Sequence, residues 1–208
     1  MKYKYKPNSK LEHFGLRVYL ALVENFPQTF FVGGMVRDLL LKRKIWDIDI
    51  ATSAKPNEVI NFLKINHIPF NDINIKFGVI TAIKNKYKIE IASFRKETYG
   101  LTRYPKVKFT KSLSKDALRR DFTINSLYLS IKKQEIIDPF QGIKDIKLKQ
   151  LRFIGSSFKK ITKDPLRIIR ALRFALQLNF RIEKHSWLAI KNNFTLIKKL
   201  SEKKKISE

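Results

Sequence analysis

The sequence predicts an α+β protein: a mixed β-sheet flanked by helices, followed by an all-helical region from about residue 155. Three stretches carry that reading. In the first, an apolar run from Thr29 to Val32 ends in Gly33-Gly34, an amphipathic stretch covers Met35 to Leu41, and Trp46-Asp47-Ile48-Asp49-Ile50 resumes alternation. This order reads as strand, turn, helix, strand. In the second, Gly78 to Lys84 and Tyr87 to Phe94 flank Asn85-Lys86 as the two arms of a hairpin. In the third, apolar spacing turns wholly helical, with Asp164-Pro165 as a helix start before Leu166 to Asn179.

Ahead of the first unit, Leu11 to Phe26 has the spacing of an amphipathic helix that packs beneath the sheet. After it, Lys55-Pro56 opens a helix whose apolar face, Val59, Ile60, Phe62 and Leu63, continues to Asn66. A loop and short strand lead into the hairpin. Glu97 to Lys106, with Gly100 and Pro105, reads as a mobile loop. Asp138-Pro139 followed by Gly142 is a turn at a joint between two regions, and Lys147 to Ile154 gives one more apolar strand. His185 suits a surface or capping position, Phe194 to Leu200 a further helix, and Ser201 to Glu208 a charged, frayed tail.

The first unit carries chemistry. Paired glycines permit positive φ and close approach of backbone to a ligand, and the helix start beyond them offers N–H groups to a phosphate. Alternation sends Asp47 and Asp49 to one side of their strand and Ile48 and Ile50 to the core. Carboxylates so close repel, and Mg²⁺, which takes oxygen ligands and is completed by substrate phosphates, relieves the conflict. Two such ions suit phosphoryl transfer. Glu90 sits opposite its isoleucine neighbours in the second hairpin arm, and becomes a third carboxylate if that strand lies beside Asp47 and Asp49.

Composition narrows the function classes. The 208 residues allow one domain and a smaller one, and the 44% hydrophobic content is ample for a core. The absence of cysteine excludes disulfides, thiolate zinc sites and a cysteine nucleophile, and fits a reducing compartment. No apolar run is long enough for a membrane span and the N-terminus has no signal core, so the expectation is a soluble, cytoplasmic protein. A net charge of +26 points to a polyanion, although 32 of the 44 basic residues are Lys and AT-rich coding could supply part of the excess.

Two further clusters add to the site. In Leu118 to Leu127, Arg119 and Arg120 can hold triphosphate oxygens through fixed N–H donors, while Asp121 and Asn125 suit a ribose hydroxyl. In the helix after Asp164, Arg167, Arg170 and Arg173 recur every third residue. Asp164 and Arg167 together present an acceptor and a fork of donors. That pair matches the exocyclic amine and adjacent acceptor shared by cytosine and adenine; guanine and uracil reverse the pattern, at about 1–3 kcal/mol per unsatisfied group.

These clusters resemble the motifs of the class II tRNA nucleotidyltransferase and poly(A) polymerase family. Gly33, Gly34, Val36, Arg37, Asp38, Asp47 and Asp49 match GG-x-VRD followed by D-x-D; Arg119, Arg120, Asp121, Phe122, Thr123 and Asn125 match RRDFT-x-N. Phe94-Arg95 after an acidic strand residue, Asp138-Pro139 with Gly142, and Asp164 with Arg167 match three others. The last is commonly ED-x-x-R, and here Lys163 stands in place of the glutamate.

The resemblance covers about residues 25–182. It implies a polymerase-beta-like nucleotidyltransferase head over residues 1–154 and the start of a helical neck over 155–208, with body and tail regions beyond the sequence. It implies Mg²⁺ on Asp47 and Asp49 with Glu90 as the third catalytic carboxylate. Nucleotide-binding roles fall to Gly33, Gly34, Arg37, Arg119, Arg120, Asp121, Asn125, Asp164, Arg167 and Arg170. The activity implied is addition of CMP or AMP from CTP or ATP to the 3′ end of tRNA. Residues 97–106 match a loop that closes over the site for the last nucleotide, somewhat shorter here than in CCA-adding members. Poly(A) synthesis shares every motif, and an idle RNA-binding remnant kept for its basic surface is the reading from another class.

Overall fold

The computed structural model describes residues 1–100 and 105–206. In chain order the elements are α1 (Lys10–Asn25), β1 (Thr29–Val32), α2 (Gly34–Leu40), β2 (Ile48–Thr52), α3 (Pro56–Ile65), β3 (Phe70–Asn71), β4 (Val79–Lys84), β5 (Tyr87–Ser93), β6 (Arg95–Thr98) and β7 (Lys106–Phe109). They continue with α4 (Leu113–Arg119), β8 (Tyr128–Ser130), β9 (Glu135–Ile137), α5 (Gly142–Lys147), β10 (Gln150–Leu151), α6 (Ser157–Lys163), α7 (Leu166–Leu178), β11 (Arg181–Ile182), α8 (Lys184–Asn193) and α9 (Glu202–Ile206).

Seven strands form one mixed sheet in the order β3-β4-β5-β2-β1-β8-β9, with β2 and β5 parallel and the other neighbours antiparallel. Alternation decides which face is dry. Ile48, Ile50, Ile80, Ala82, Ile89 and Ile91 all point to one side, where Phe14, Val18 and Leu22 of α1 and Val59 and Leu63 of α3 cover them. At about 1.5–3 kcal/mol for each large side chain buried, a one-residue slip of register would forfeit most of that gain, so the register is fixed. Strand β1, between β2 and β8 inside the sheet, is buried on both faces, which is why it reads as a continuous apolar run. Its outer face, Phe30 and Val32, packs with Phe94, Ala117 and Tyr128 under α4.

The helix starts follow local chemistry. Ser9, Ser112 and Ser156 accept from backbone N–H groups one turn on, at α1, α4 and α6. Pro56 occupies the first turn of α3, and Glu58 accepts from the Lys55 N–H at 2.6 Å.

Three expectations are corrected. Glu97 and Thr98 belong to β6 and Lys106 begins β7, so the expected loop is partly a hairpin; residues 101–104 lie outside the described part. The turn expected after Asp138 is present at residues 139–140, and the Asp138 carboxylate also accepts from the Gly142 and Ile143 N–H groups at 2.8 and 2.9 Å at the start of α5. The expected strand from Lys147 shrinks to β10, because Lys147 ends α5. The tail from Ser201 forms the short helix α9 through Ile206.

The core does not break at residue 154. Phe153, Ile161, Ile168, Ala171 and Phe174 join the cluster that holds Phe122 and Ile124, and β10 pairs in parallel with β11. The helices therefore sit rigidly over the Arg119 to Asn125 turn. Gly142 is part of that fit: a Cβ there would collide with the carbonyl oxygen of Thr123. Gly142→Ala is expected to cost about 1–3 kcal/mol, read as a lower urea midpoint at unchanged slope; an unchanged midpoint would mean that α5 stands off from that turn.

Candidate active site

A cavity of about 730 Å³ opens between the sheet's outer face and α7. One wall is the Gly33 bend with Asp47 and Asp49, another is Arg119, Arg120 and Asp121, and the third is Asp164, Arg167, Arg170 and Arg173. Of the catalytic and nucleotide-binding residues expected from the sequence, only Glu90 is absent from its lining.

The strand positions explain the carboxylate wall. Asp49 pairs in register with Glu90 on β5 and with Val32, the residue before the bend, on β1. Asp47 lies one residue before β2, so it is not itself a strand residue; it lines the same cavity all the same. Gly33 has φ +76°, and a Cβ built on it would sit 3.1 Å from Asp49 Oδ2 and 3.8 Å from Arg120 Nη1. Bend, carboxylate and guanidinium thus converge within a few ångströms. Burial pushes the Asp49 carboxyl up to about 6, Glu90 adds to the shift, Arg120 opposes it and Asp47 adds further.

A second cavity, of about 590 Å³, shares Asp47 and Asp49 and extends over the open part of the sheet, where Thr81, Ile83, Lys88 and Glu90 line it. Glu90 therefore stands on the far side of the aspartates from the arginines. Among the described residues no group of three His, Cys, Asp or Glu side chains is gathered tightly enough to hold a metal ion. The donor set is two aspartates with Glu90 behind them.

The arginines are positioned by a residue the sequence reading missed. Asp116, fully buried on α4, accepts from Arg119 Nε at 2.8 Å, from Arg120 Nε at 3.3 Å and from the Tyr128 hydroxyl at 2.8 Å. Burial works against its charge, and Arg120 and Arg119 outweigh it, so its carboxyl lies below the ordinary range. Arg120 is half-buried, which works against its charge, yet Tyr128, Asp116 and Asp49 raise its basicity. The signal was available: Asp116 lies three and four residues before Arg119 and Arg120, on one helix face. Arg119 also lies 3.6 Å from Glu97, which β6 supplies.

Arg37 is buried with its Nε and Nη2 on Asp38 at 2.9 Å each, while Nη1 donates to Asn125 Oδ1 at 2.8 Å. Asn125 is thus tied to Arg37 and lines the cavity beside it.

Asp164 and Arg167 both line the cavity, and Arg167 is held by partners from outside its own helix. Arg167 donates through Nε to Asp121 at 2.6 Å, through Nη1 to the Lys160 carbonyl at 2.7 Å and through Nη2 to the Tyr99 hydroxyl at 2.8 Å. Arg170 Nη1 meets the other Asp121 oxygen at 2.7 Å. Burial opposes the Asp121 charge, but Arg170 and Arg167 hold its carboxyl below the usual range. Asp164 remains on the wall, with its carboxylate accepting from the Leu166 N–H at 3.3 Å. Asp164 itself is extended, between α6 and α7, while Asp121, distant in sequence, holds the Arg167 Nε. Lys163, where the motif has glutamate, lies 5.7 Å from the centre of the Tyr99 ring.

The sheet order and the convergence of bend, aspartates and arginines define a nucleotidyltransferase head. Residues 29–152 match the family described as Poly A polymerase head domain, and the chain belongs to that family. Among named relatives, the CCA-adding enzyme of Streptococcus mutans is 40% identical over 183 residues, covering 87% of this chain and 44% of that enzyme. The CCA-adding enzyme of Lactobacillus delbrueckii subsp. bulgaricus is 43% identical over 176 residues, covering 84% and 43%. The crystal structure of the Bacillus stearothermophilus CCA-adding enzyme in complex with CTP superposes with a TM-score of 0.80 at 33% identity, over 93% of this chain and 46% of that one. A tRNA nucleotidyltransferase complexed with a primer tRNA and an incoming ATP analog gives 0.73 at 30%, over 91% and 54%. The chain thus spans less than half the length of the two curated relatives.

Proposed function

We propose that this chain adds CMP and AMP from CTP and ATP to the 3′ end of tRNA, without a nucleic-acid template, releasing pyrophosphate. Residues 1–154 are the catalytic head and 155–208 the start of the base-reading neck, working in the cytoplasm on a soluble substrate. Among the described residues no helix is long and apolar enough to cross a membrane. The observation that carries the proposal is the meeting of Asp47, Asp49, the Gly33 bend and Arg120 at one end of a cavity whose far wall is Asp164, Arg167 and Arg170.

The oxygen donors and the raised Asp49 pKa fit a hard divalent cation, with Asp47 and Asp49 as its protein ligands and substrate phosphates as the rest. When bound, Mg²⁺ neutralises this crowding and the charge that develops on the transferring phosphate. The remaining work belongs to the chain. Arg119 and Arg120, held by Asp116, receive the triphosphate; the backbone at Gly33 and Gly34 approaches it closely. The acceptor 3′ oxygen gives up its proton and bonds to the α-phosphorus as the bond from that phosphorus to the β-phosphate oxygen breaks, so the acceptor and the departing pyrophosphate lie on opposite sides of it. Asp121 and Asn125 face the ribose. A guanidinium has five N–H donors; three of those of Arg167 go to Asp121, Lys160 and Tyr99, and two remain to read a base edge beside Asp164.

Incubation with tRNA ending before CCA, plus labelled CTP and ATP singly and together, tests the reading. CTP-dependent then ATP-dependent growth that stops at three nucleotides is expected. Growth past three with ATP alone would favour poly(A) synthesis, which the family's description keeps in view. Retention of tRNA without Mg²⁺-dependent incorporation would leave only an RNA-binding module.

A further inference from the structure

Trp46 is 70% exposed at the rim of the larger cavity, one residue from Asp47. Single exposed Leu or Ile side chains are ordinary on a protein surface. A Trp left to solvent beside a phosphoryl-transfer site, with Lys44 Nζ 4.0 Å from its ring centre, is a different arrangement. The connection that carries it runs Lys42-Arg43-Lys44-Ile45-Trp46. Arg43 Nη1 donates to the Gln177 carbonyl at 3.1 Å, which fastens this connection to the C-terminal half of α7. Arg173 and Gln177 line the same cavity. An aromatic plate among cations at the mouth of a cavity is the composition that binds single-stranded nucleic acid: bases stack, and phosphates meet Lys and Arg.

Resting on the transferase reading above, we propose that Trp46 and its basic connection form a stacking site for the single-stranded 3′-terminal nucleotide of the acceptor RNA. The other candidate occupant is the base of the nucleoside triphosphate. The base-edge readers, Asp164 and Arg167, lie at the opposite end of α7, however, and Arg167 is about 15 Å along the helix from Gln177. Stacking is tolerant of sequence. It therefore suits an acceptor end whose last base changes with each nucleotide added, and it does not suit the choice between one triphosphate and another.

The chain has two Trp residues, so a Trp187→Phe background makes Trp46 the sole indole reporter. Titration of that protein with a five-nucleotide RNA ending in CC is expected to quench its fluorescence to saturation, while CTP or ATP alone leaves it unchanged. In steady-state assays Trp46→Ala is expected to raise the KM for RNA about tenfold or more with the KM for CTP unchanged, and Trp46→Phe to restore it to within about threefold. No quenching by RNA, quenching by CTP alone, or an equal rise in both KM values overturns the site. Because the titration needs no turnover, RNA-dependent quenching in a protein that adds no nucleotide keeps the site and sinks the transferase reading. Normal addition by Trp46→Ala at an unchanged KM for RNA does the reverse.

Discussion

Asp49→Asn is expected to abolish nucleotide addition, by about a thousandfold or more, while making the metal-free protein more stable at neutral pH. The two effects have one cause. The folded chain holds the Asp49 carboxyl at about 6 against an ordinary 3.8, so the native state binds this proton more tightly than the unfolded chain does. Stability therefore falls as pH rises from about 4 to about 6, and the full cost of the ionised carboxylate is present above that window. Asparagine removes it, a gain of about 2 kcal/mol at pH 7 after allowance for partial exposure. Thermal unfolding in a chelator should show a higher Tm for Asp49→Asn at pH 7 and little difference at pH 4. Asp47→Ala is expected to be inactive as well and to fold. Retained turnover in both variants would remove the aspartates from the mechanism; a lower Tm for Asp49→Asn at pH 7 would mean that its charge is compensated within the protein.

Arg167→Ala is expected to lose both stability and selectivity. Arg167 is buried and joins Asp121 of the head to the start of α7, with Tyr99 on its third side. Breaking a buried pair by removing one partner costs about 3–5 kcal/mol; Arg170, still on Asp121, holds the loss to the lower end. The more telling variant is Arg167→Lys. A lysine keeps the charge but cannot serve Asp121, Tyr99 and a base edge from one plane. It should fold, with discrimination of CTP over UTP reduced about ten- to a hundredfold, read as the ratio of kcat/KM values. If the ratio is unchanged, the base is read elsewhere in the cavity.

The periodic parts of this protein were legible before any coordinates. Alternation in Trp46 to Ile50 and in Tyr87 to Phe94 named the two strands that carry Asp49 and Glu90, and the apolar run at Thr29 to Val32 named the strand between β2 and β8. The turn at Asn85 appears with φ +55°, as the hairpin reading requires. Local chemistry failed where two interpretations shared one signal. Asp138 to Gly142 has the letters of a turn and forms one, but the same letters did not tell that the Asp138 carboxylate also holds the first N–H groups of α5. Glu97 to Lys106 has the composition of a loop, yet Glu97 is held by Arg95 and Arg119, and its backbone pairs with Val107.

What the sequence determined by itself is the set of groups and their local geometry: a glycine bend, one aspartate on a strand and another just before it, two arginines at a helix end, and an aspartate just before a helix with an arginine in its first turn. Their partners were decided only by the tertiary structure. Spacing constrains neighbours on one element, whereas the choice of carboxylate for Arg167, or of buried acid for Arg120, depends on which elements the core brings together and on which charges must be matched once water is gone. That is why Asp116 went unseen, why Asp121 holds Arg167, and why Glu90, correctly set beside Asp49, faces the second cavity.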